Sequence, residues 1–276
     1  MATGTDPKNH EAMKRISIAL AVLALATAAT AQKTYRPQYD SIRHEAFGPG
    51  EKLTYSVKYG FIKGGESQFT VRDTIIDGKH TNHVTCGGRT TGLADIVYRV
   101  RDSYESYMDA TTQLPVMSKR NIAEGRYRYY DKVVYNRETG KMEKTIRSRN
   151  KPVKHENQEM PESLVDIVAA FYHARNNAFD SRLVPGDTIH YETFFSNEIF
   201  PLVIRYNGIE TINTVMGPKA CYKFTPITEV GRSFESNDDM HLWVTADANR
   251  VPVKIKFDMK VGSFVFELTK AEGLKH

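Results

Sequence analysis

The octapeptide Lys52-Leu53-Thr54-Tyr55-Ser56-Val57-Lys58-Tyr59 alternates polar and apolar at every step. A period of two puts Leu53, Tyr55, Val57 and Tyr59 on one face of a strand and wets the other, which excludes a helix over this stretch. The rhythm returns at Val251, Val253, Ile255, Phe257 and Met259, with Lys254, Lys256, Asp258 and Lys260 between them, and again at Phe264, Phe266 and Leu268. Tyr98, Val100 and Tyr104 form another row, as do Tyr127, Tyr129, Val133 and Tyr135, the latter broken at Asp131. Asp77-Gly78, Thr139-Gly140, Asn207-Gly208 and Gly217-Pro218 supply turn chemistry between such runs. Many short strands joined by such turns predict a mainly β protein: a curved antiparallel sheet, as a half-barrel or a β-sandwich.

One segment departs from the period of two. Residues 161–175 read as an amphipathic helix, with Pro161 at the first helical position, Glu162 and Asp166 at the positive end and Arg175 at the negative end. Leu164, Val165, Val168, Phe171 and Tyr172 make one apolar stripe. The stripe needs a partner, and the inner face of a curved sheet is the surface available. The expectation is one helix packed on the sheet, with an aromatic-lined groove between the two for an apolar ligand.

Residues 13–31 have the three-part layout of a secretory signal peptide: Met13-Lys14-Arg15, an apolar run from Ile16 to Ala26 broken at Ser17, and Ala29-Thr30-Ala31. Residues 1–12 read as an upstream start. The apolar run is about half of the roughly 20 residues a spanning helix needs, and no Cys lies beside the cut to receive a lipid. The expectation is therefore a periplasmic or secreted chain without a transmembrane anchor, cut near Ala31. Its layout is a flexible segment over 32–47, then one mainly-β domain over 48–272. The chain carries a formal charge of +5, which says little about nucleic acid, and export argues against such a partner.

Motifs for chemistry are sparse. Cys86 and Cys221 are either a disulfide permitted by an oxidising compartment or two buried thiols. His80 and His83 are three apart and so face opposite sides of a strand, which suits no shared metal. No G-x-S-x-G, S-x-x-K or H-E-x-x-H occurs, and Gly64-Gly65 and Gly87-Gly88 open no phosphate loop. No catalytic residue, metal or cofactor is expected. Lys141, Lys144, Arg147, Arg149, Lys151 and Lys154 against Glu143 form a basic run: a solvated surface, or a patch for anionic head groups or polysaccharide.

Gly231-Arg232-Ser233-Phe234, then Met240 to Asp247, then Arg250-Val251-Pro252-Val253 and Val261-Gly262-Ser263 resemble an exported bacterial family, domain of unknown function 3108. The opening Gly50-Glu51-Lys52-Leu53-Thr54-Tyr55 strand, Asp102 to Ser106 and the Asp166-to-Arg175 helix extend the resemblance over roughly 48–270. The resemblance implies a mostly β exported protein without an assigned activity. The motif residues also have a backbone explanation: Asp247-Ala248-Asn249-Arg250 as a tight turn, Pro252 at a strand start or edge, Trp243 over the core, and Arg250 or Arg232 paired with Asp247. The functional expectation is non-enzymatic carriage of a lipid-like ligand. Phe171, Tyr172 and Trp243 would line the groove, and Arg232 and Arg250 would meet an anionic head group. The alternatives are an envelope scaffold with a filled core that binds another protein, and a cell-wall hydrolase using His241 with Asp238 and Asp239.

Overall fold

The structure is a computed structural model and describes residues 32–39, 45–179, 182–227, 239–259 and 262–276. The signal-peptide expectation, Arg232 and Asp238 lie outside the described residues. Chain contacts separate residues 1–33 from a unit over 34–276, which holds every element below.

Sixteen strands form one sheet among the described residues. They are β1 (Thr34–Tyr35), β2 (Lys52–Tyr59), β3 (Ile62–Ile76), β4 (Lys79–Thr90), β5 (Arg101–Asp109), β6 (Pro115–Glu124), β7 (Tyr127–Asn136) and β8 (Lys141–Ser148), followed by β9 (Lys154–Glu159), β10 (Val165–Asp166), β11 (Thr188–Phe195), β12 (Glu198–Thr214), β13 (Gly217–Ile227), β14 (Met240–Thr245), β15 (Pro252–Asp258) and β16 (Ser263–Glu272). Two helices interrupt them, α1 (Gly92–Val97) and α2 (Ile167–Asn177). The spatial order runs β1, then β11 to β16, then β2 to β9, with β10 beside β11. Pairing is antiparallel except where β1 and β10 join β11. The last strand lies against the second, Leu268 opposite Tyr55, so the two halves of the chain share one surface.

The alternation holds in the first half of β2, where Leu53 and Tyr55 are fully buried and Lys52 is exposed; Ser56 is also buried, a register shift follows at Val57–Lys58, and Tyr59 is exposed. The sheet wraps around α2. One cluster joins Val71, Val84 and Met108 from one half to Ile189, Ile204, Tyr206, Tyr222, Phe224, Leu242 and Val244 from the other, with helix residues between them. Smaller clusters form around Leu53, Trp243 and Leu268, and around Val133, Met142 and Phe194.

Four sequence expectations change. The helix starts six residues later than 161. Pro161 to Leu164 close a turn, and buried Asp166 is the N-cap, accepting from the Val168 and Ala169 amides at 2.9 Å each. Short α1 was missed, because it buries no residue and so writes no apolar stripe. Asn207-Gly208 is a bulge inside β12, not a turn; Gly208 at φ 112° absorbs the register shift, and bulges and turns draw on the same residue chemistry. The segment expected to be flexible is tied down where it is described. Thr34 and Tyr35 pair with β11, the Tyr39 ring lies 4.6 Å from His173, Ala46 donates to Asn176, and Phe47 is buried.

Candidate functional site

The space beneath the helix is the first place to look, and it is filled. Val168, Ala169, Ala170, Tyr172, His173, Ala174, Arg175 and Asn176 are all buried, so α2 is enclosed on nearly every side. Three alanines among them allow close approach of the surrounding strands. The groove expected between helix and sheet is therefore occupied by the protein's own side chains. A cavity of about 30 Å³ remains beside the helix start, lined by Tyr104, Ser118, Arg120, Asp131, Asp166 and Phe195. That is room for about one water, not for an acyl chain. Arg120 holds Asp131 at 2.7 Å there and lies over the Phe195 ring. Burial pushes the Asp166 carboxyl up to about 6, against the lowering effect of hydrogen bonds from Ser106 and from the Ala169 and Val168 amides.

A second opening, about 460 Å³, is an open trough over Gln68, Gly87, Gly88 and Ser103, flanked by Glu66, Arg89 and Asp102. Its walls are polar and ionic; Arg89 donates to Glu66 at 2.9 Å. Hydrogen bonds from Arg89 and Lys63 hold the Glu66 carboxyl below its ordinary value.

The residues behind the family resemblance converge elsewhere, at the end of the sheet where β2 begins. Arg175, fully buried, donates both Nη atoms to Glu51 at 2.7 Å. Its Nη2 and Nε also donate to the Asn249 and Arg250 carbonyls. Burial alone would lower the Arg175 pKa, but the Glu51 carboxylate reverses this and raises it. Arg250 donates Nη1 to the Arg175 and Asn176 carbonyls, in the last turn of α2. Its guanidinium thus caps the helix. Both of these bonds go to main-chain oxygens, while the Asp247 carboxylate accepts from Thr245 and from the Asn249 and Arg250 amides. Pro252 opens β15, and its carbonyl accepts from the Tyr55 hydroxyl. Trp243 is buried over the second cluster and donates to Glu210. Tyr172 is buried with its hydroxyl unpartnered among the described residues, and Phe171 is half-buried against the main core. These residues hold one turn, one helix end and one strand start together, and none of them lines either opening described above.

The remaining sequence candidates stand apart. His83 bonds to Glu105 and stacks on Tyr107, while His80 lies 3.4 Å from Asp73. His241 bonds to Thr225 and lies against Trp243. No bridge joins the cysteines: both are free, Cys86 beside the main core and Cys221 in the second cluster. Burial pushes both thiols up, Cys221 to about 11. No group of three or more His, Cys, Asp or Glu among the described residues could hold a metal. No described helix is long and apolar enough to cross a membrane.

What the sequence reading missed is the opposite end of the sheet, where the β2–β3, β4–β5, β6–β7, β8–β9 and β15–β16 connections lie. Of the fourteen large apolar side chains exposed among the described residues, ten lie there: Tyr59, Phe61, Ile62, Leu93, Ile96, Val97, Tyr98, Tyr127, Val153 and Phe264. Phe61 is 97% exposed and Val97 85%. The connections are tied to one another. Gly60 donates to Ser263, Thr91 to Gly64, Gly125 to Arg99, and the Arg149 guanidinium to the Arg126 carbonyl. Around them lie Arg99, Arg126, Arg128, Arg149, Lys151 and Lys154, all exposed. The signal was available: an apolar Leu93-Ala94-Asp95-Ile96-Val97 run that fits neither a strand face nor a buried helix face.

Among solved structures the chain is similar to a β-barrel-like protein of domain of unknown function DUF1849 from Brucella abortus, at 7% identity and a TM-score of 0.48 over 82% of this chain and 98% of that one. Comparison with curated proteins returned no match. The model of the protein family of unknown function DUF3108 matches residues 54–269. That span covers most of the chain and includes Tyr55, Arg175, Asp247 and Pro252, and the chain belongs to the DUF3108 family.

Proposed function

We propose that this is an exported, non-enzymatic protein of the cell envelope that acts by attaching through its surface and not by carrying a ligand inside. One observation supports this above others. The interior is filled around α2, while ten of the fourteen exposed large apolar side chains among the described residues lie at one end of the sheet. A soluble monomer seldom leaves such side chains gathered on one patch unless the patch meets something. The leader-like residues 13–31 support export. The two separate free thiols, both raised by burial, fit bystanders better than nucleophiles.

Fractionation of cells expressing the full chain tests this. The expected result is a processed protein that begins near Gln32 and sediments with the envelope. A Phe61→Asp, Ile96→Asp double variant moves to the soluble pool. An unprocessed chain in the cytosol, or a double variant that sediments as before, overturns the reading. Mass spectrometry of extracted lipid separates it from the carrier reading: one lipid per chain would restore carriage.

A further inference from the structure

We infer that the exposed end of the sheet docks on an anionic lipid bilayer; the inference rests on the surface-attachment reading and names its partner. Strand spacing of about 4.8 Å puts successive hairpin tips of β2 to β9 about 10 Å apart along one edge. Each tip offers apolar groups: Phe61 and Ile62 on the first, Leu93, Ile96 and Val97 on the second, Tyr127 at the third and Val153 on the fourth. Side chains spaced like this form a row of short wedges, not one continuous groove for a helix or strand. Shallow insertion of such wedges into the head-group and acyl boundary, about 5–10 Å deep, needs no cavity.

Charge selects the lipid. Segments 91–100, 125–128 and 149–154 contain Arg99, Arg126, Arg128, Arg149, Lys151 and Lys154 against one acid, Asp95. Asp95 is already engaged, accepting from Arg101 and Thr90, which hold its pKa at about 2. None of the six cations has an ion pair with a carboxylate among the described residues. Exposed Tyr98 and Tyr127 adjoin Arg99, Arg126 and Arg128 in sequence, and amphipathic rings beside cations favour a membrane interface. Apolar insertion and cationic attraction are each weak alone and together give stable, composition-sensitive attachment.

The experiment is sedimentation of the purified full-chain product with vesicles of phosphatidylcholine, with and without about one third phosphatidylglycerol. The wild type is expected to pellet with the anionic vesicles, to pellet poorly with the neutral ones, and to be released as salt rises. Arg99→Glu with Arg126→Glu should lower partition on anionic vesicles about 25-fold or more, at about fivefold per cation lost. Ile96→Asp should weaken it about tenfold on either lipid. Circular dichroism and a denaturation curve confirm that each variant is folded. These positions are exposed, and a second pair, Lys151→Glu with Val97→Asp, replaces any variant that is not. Equal binding to both vesicle types, or charge reversals without effect, overturns the inference. A wild type that ignores vesicles, while its envelope sedimentation still depends on Phe61 and Ile96, also overturns it and leaves a protein as the attachment partner. Failure of both experiments removes the surface-attachment reading as well.

Discussion

The two ends of this sheet invert the usual placement of polar and apolar groups. Where β2 begins, a charged pair is sealed away from water: Arg175 and Glu51 are buried to within 1%. Where β2 ends, Phe61, Leu93, Ile96 and Val97 stand in solvent. Each inversion costs free energy, so each needs a compensating interaction. At the first end the compensation is internal, because Arg175 makes four hydrogen bonds that fix a helix end against a turn. At the second these side chains face solvent among the described residues, and the proposed partner would supply the compensation. Both ends contribute residues to the span that the family model matches, so membership of the family does not by itself tell the fold-holding end from the exposed one.

The largest effect should come from Arg175→Met. It leaves Glu51 charged and buried without a partner and frees the Asn249 and Arg250 carbonyls, a loss of about 3–5 kcal/mol in urea denaturation. Adding Glu51→Leu should recover a good part of that loss, since an apolar pair of similar volume needs no compensation. A double variant no better than the single would mean that the pair does more than neutralise itself, and would break the account of this end.

Next in size is a pH effect at Asp166. Its carboxyl is raised to about 6 in the folded chain, chiefly by burial, above the ordinary 3.8. Between those values the folded state holds more protons than the unfolded one, so this group's contribution to stability falls as pH rises from about 4 to 6. Asp166→Asn keeps an oxygen acceptor for the Val168 and Ala169 amides but does not titrate. The urea midpoints of the two proteins should therefore converge or cross, with the wild type losing at most about 3 kcal/mol relative to the variant over that range. A constant difference from pH 4 to 7 would show that Asp166 does not titrate there.

A smaller effect of opposite sign is expected at Tyr172. Its hydroxyl is buried beside Arg175 with no hydrogen-bond partner among the described residues, which leaves its desolvation uncompensated there. Tyr172→Phe should be neutral or stabilise by about 1 kcal/mol. Destabilisation beyond that, measured by thermal melting, would reveal a partner for the hydroxyl.

The fold class was legible because alternation is a local signal that marks β2, β15 and β16 as strands, although their burial does not follow it at every residue. The helix was legible as a type but not in its start, because Asp166 scores equally well as a first-turn acid or as a cap, and only its burial against Ser106 decides. The groove was misjudged because volume is not written in a sequence; three alanines in α2 allow the sheet to close on it, and nothing local says that it does. The bonds that the Arg250 guanidinium makes to the helix end were not legible for a related reason. Asp247 is its near neighbour in sequence, whereas the carbonyls it caps are about seventy-five residues away. The docking end went unread because its residues come from separate connections that meet only once the strands are paired.

The smallest effect is the one that keeps the two ends distinct. Phe61→Asp and Val97→Asp place a charge where an apolar side chain already faces water, and each should change stability by no more than about 0.5 kcal/mol. The denaturation slope should also be unchanged, since no surface is newly exposed on unfolding. A loss of about 2 kcal/mol at either position would mean that it packs against the chain in solution. Near-neutral stability together with lost envelope sedimentation separates the two roles. With both results in hand, the surface these side chains meet would be the reason they are apolar.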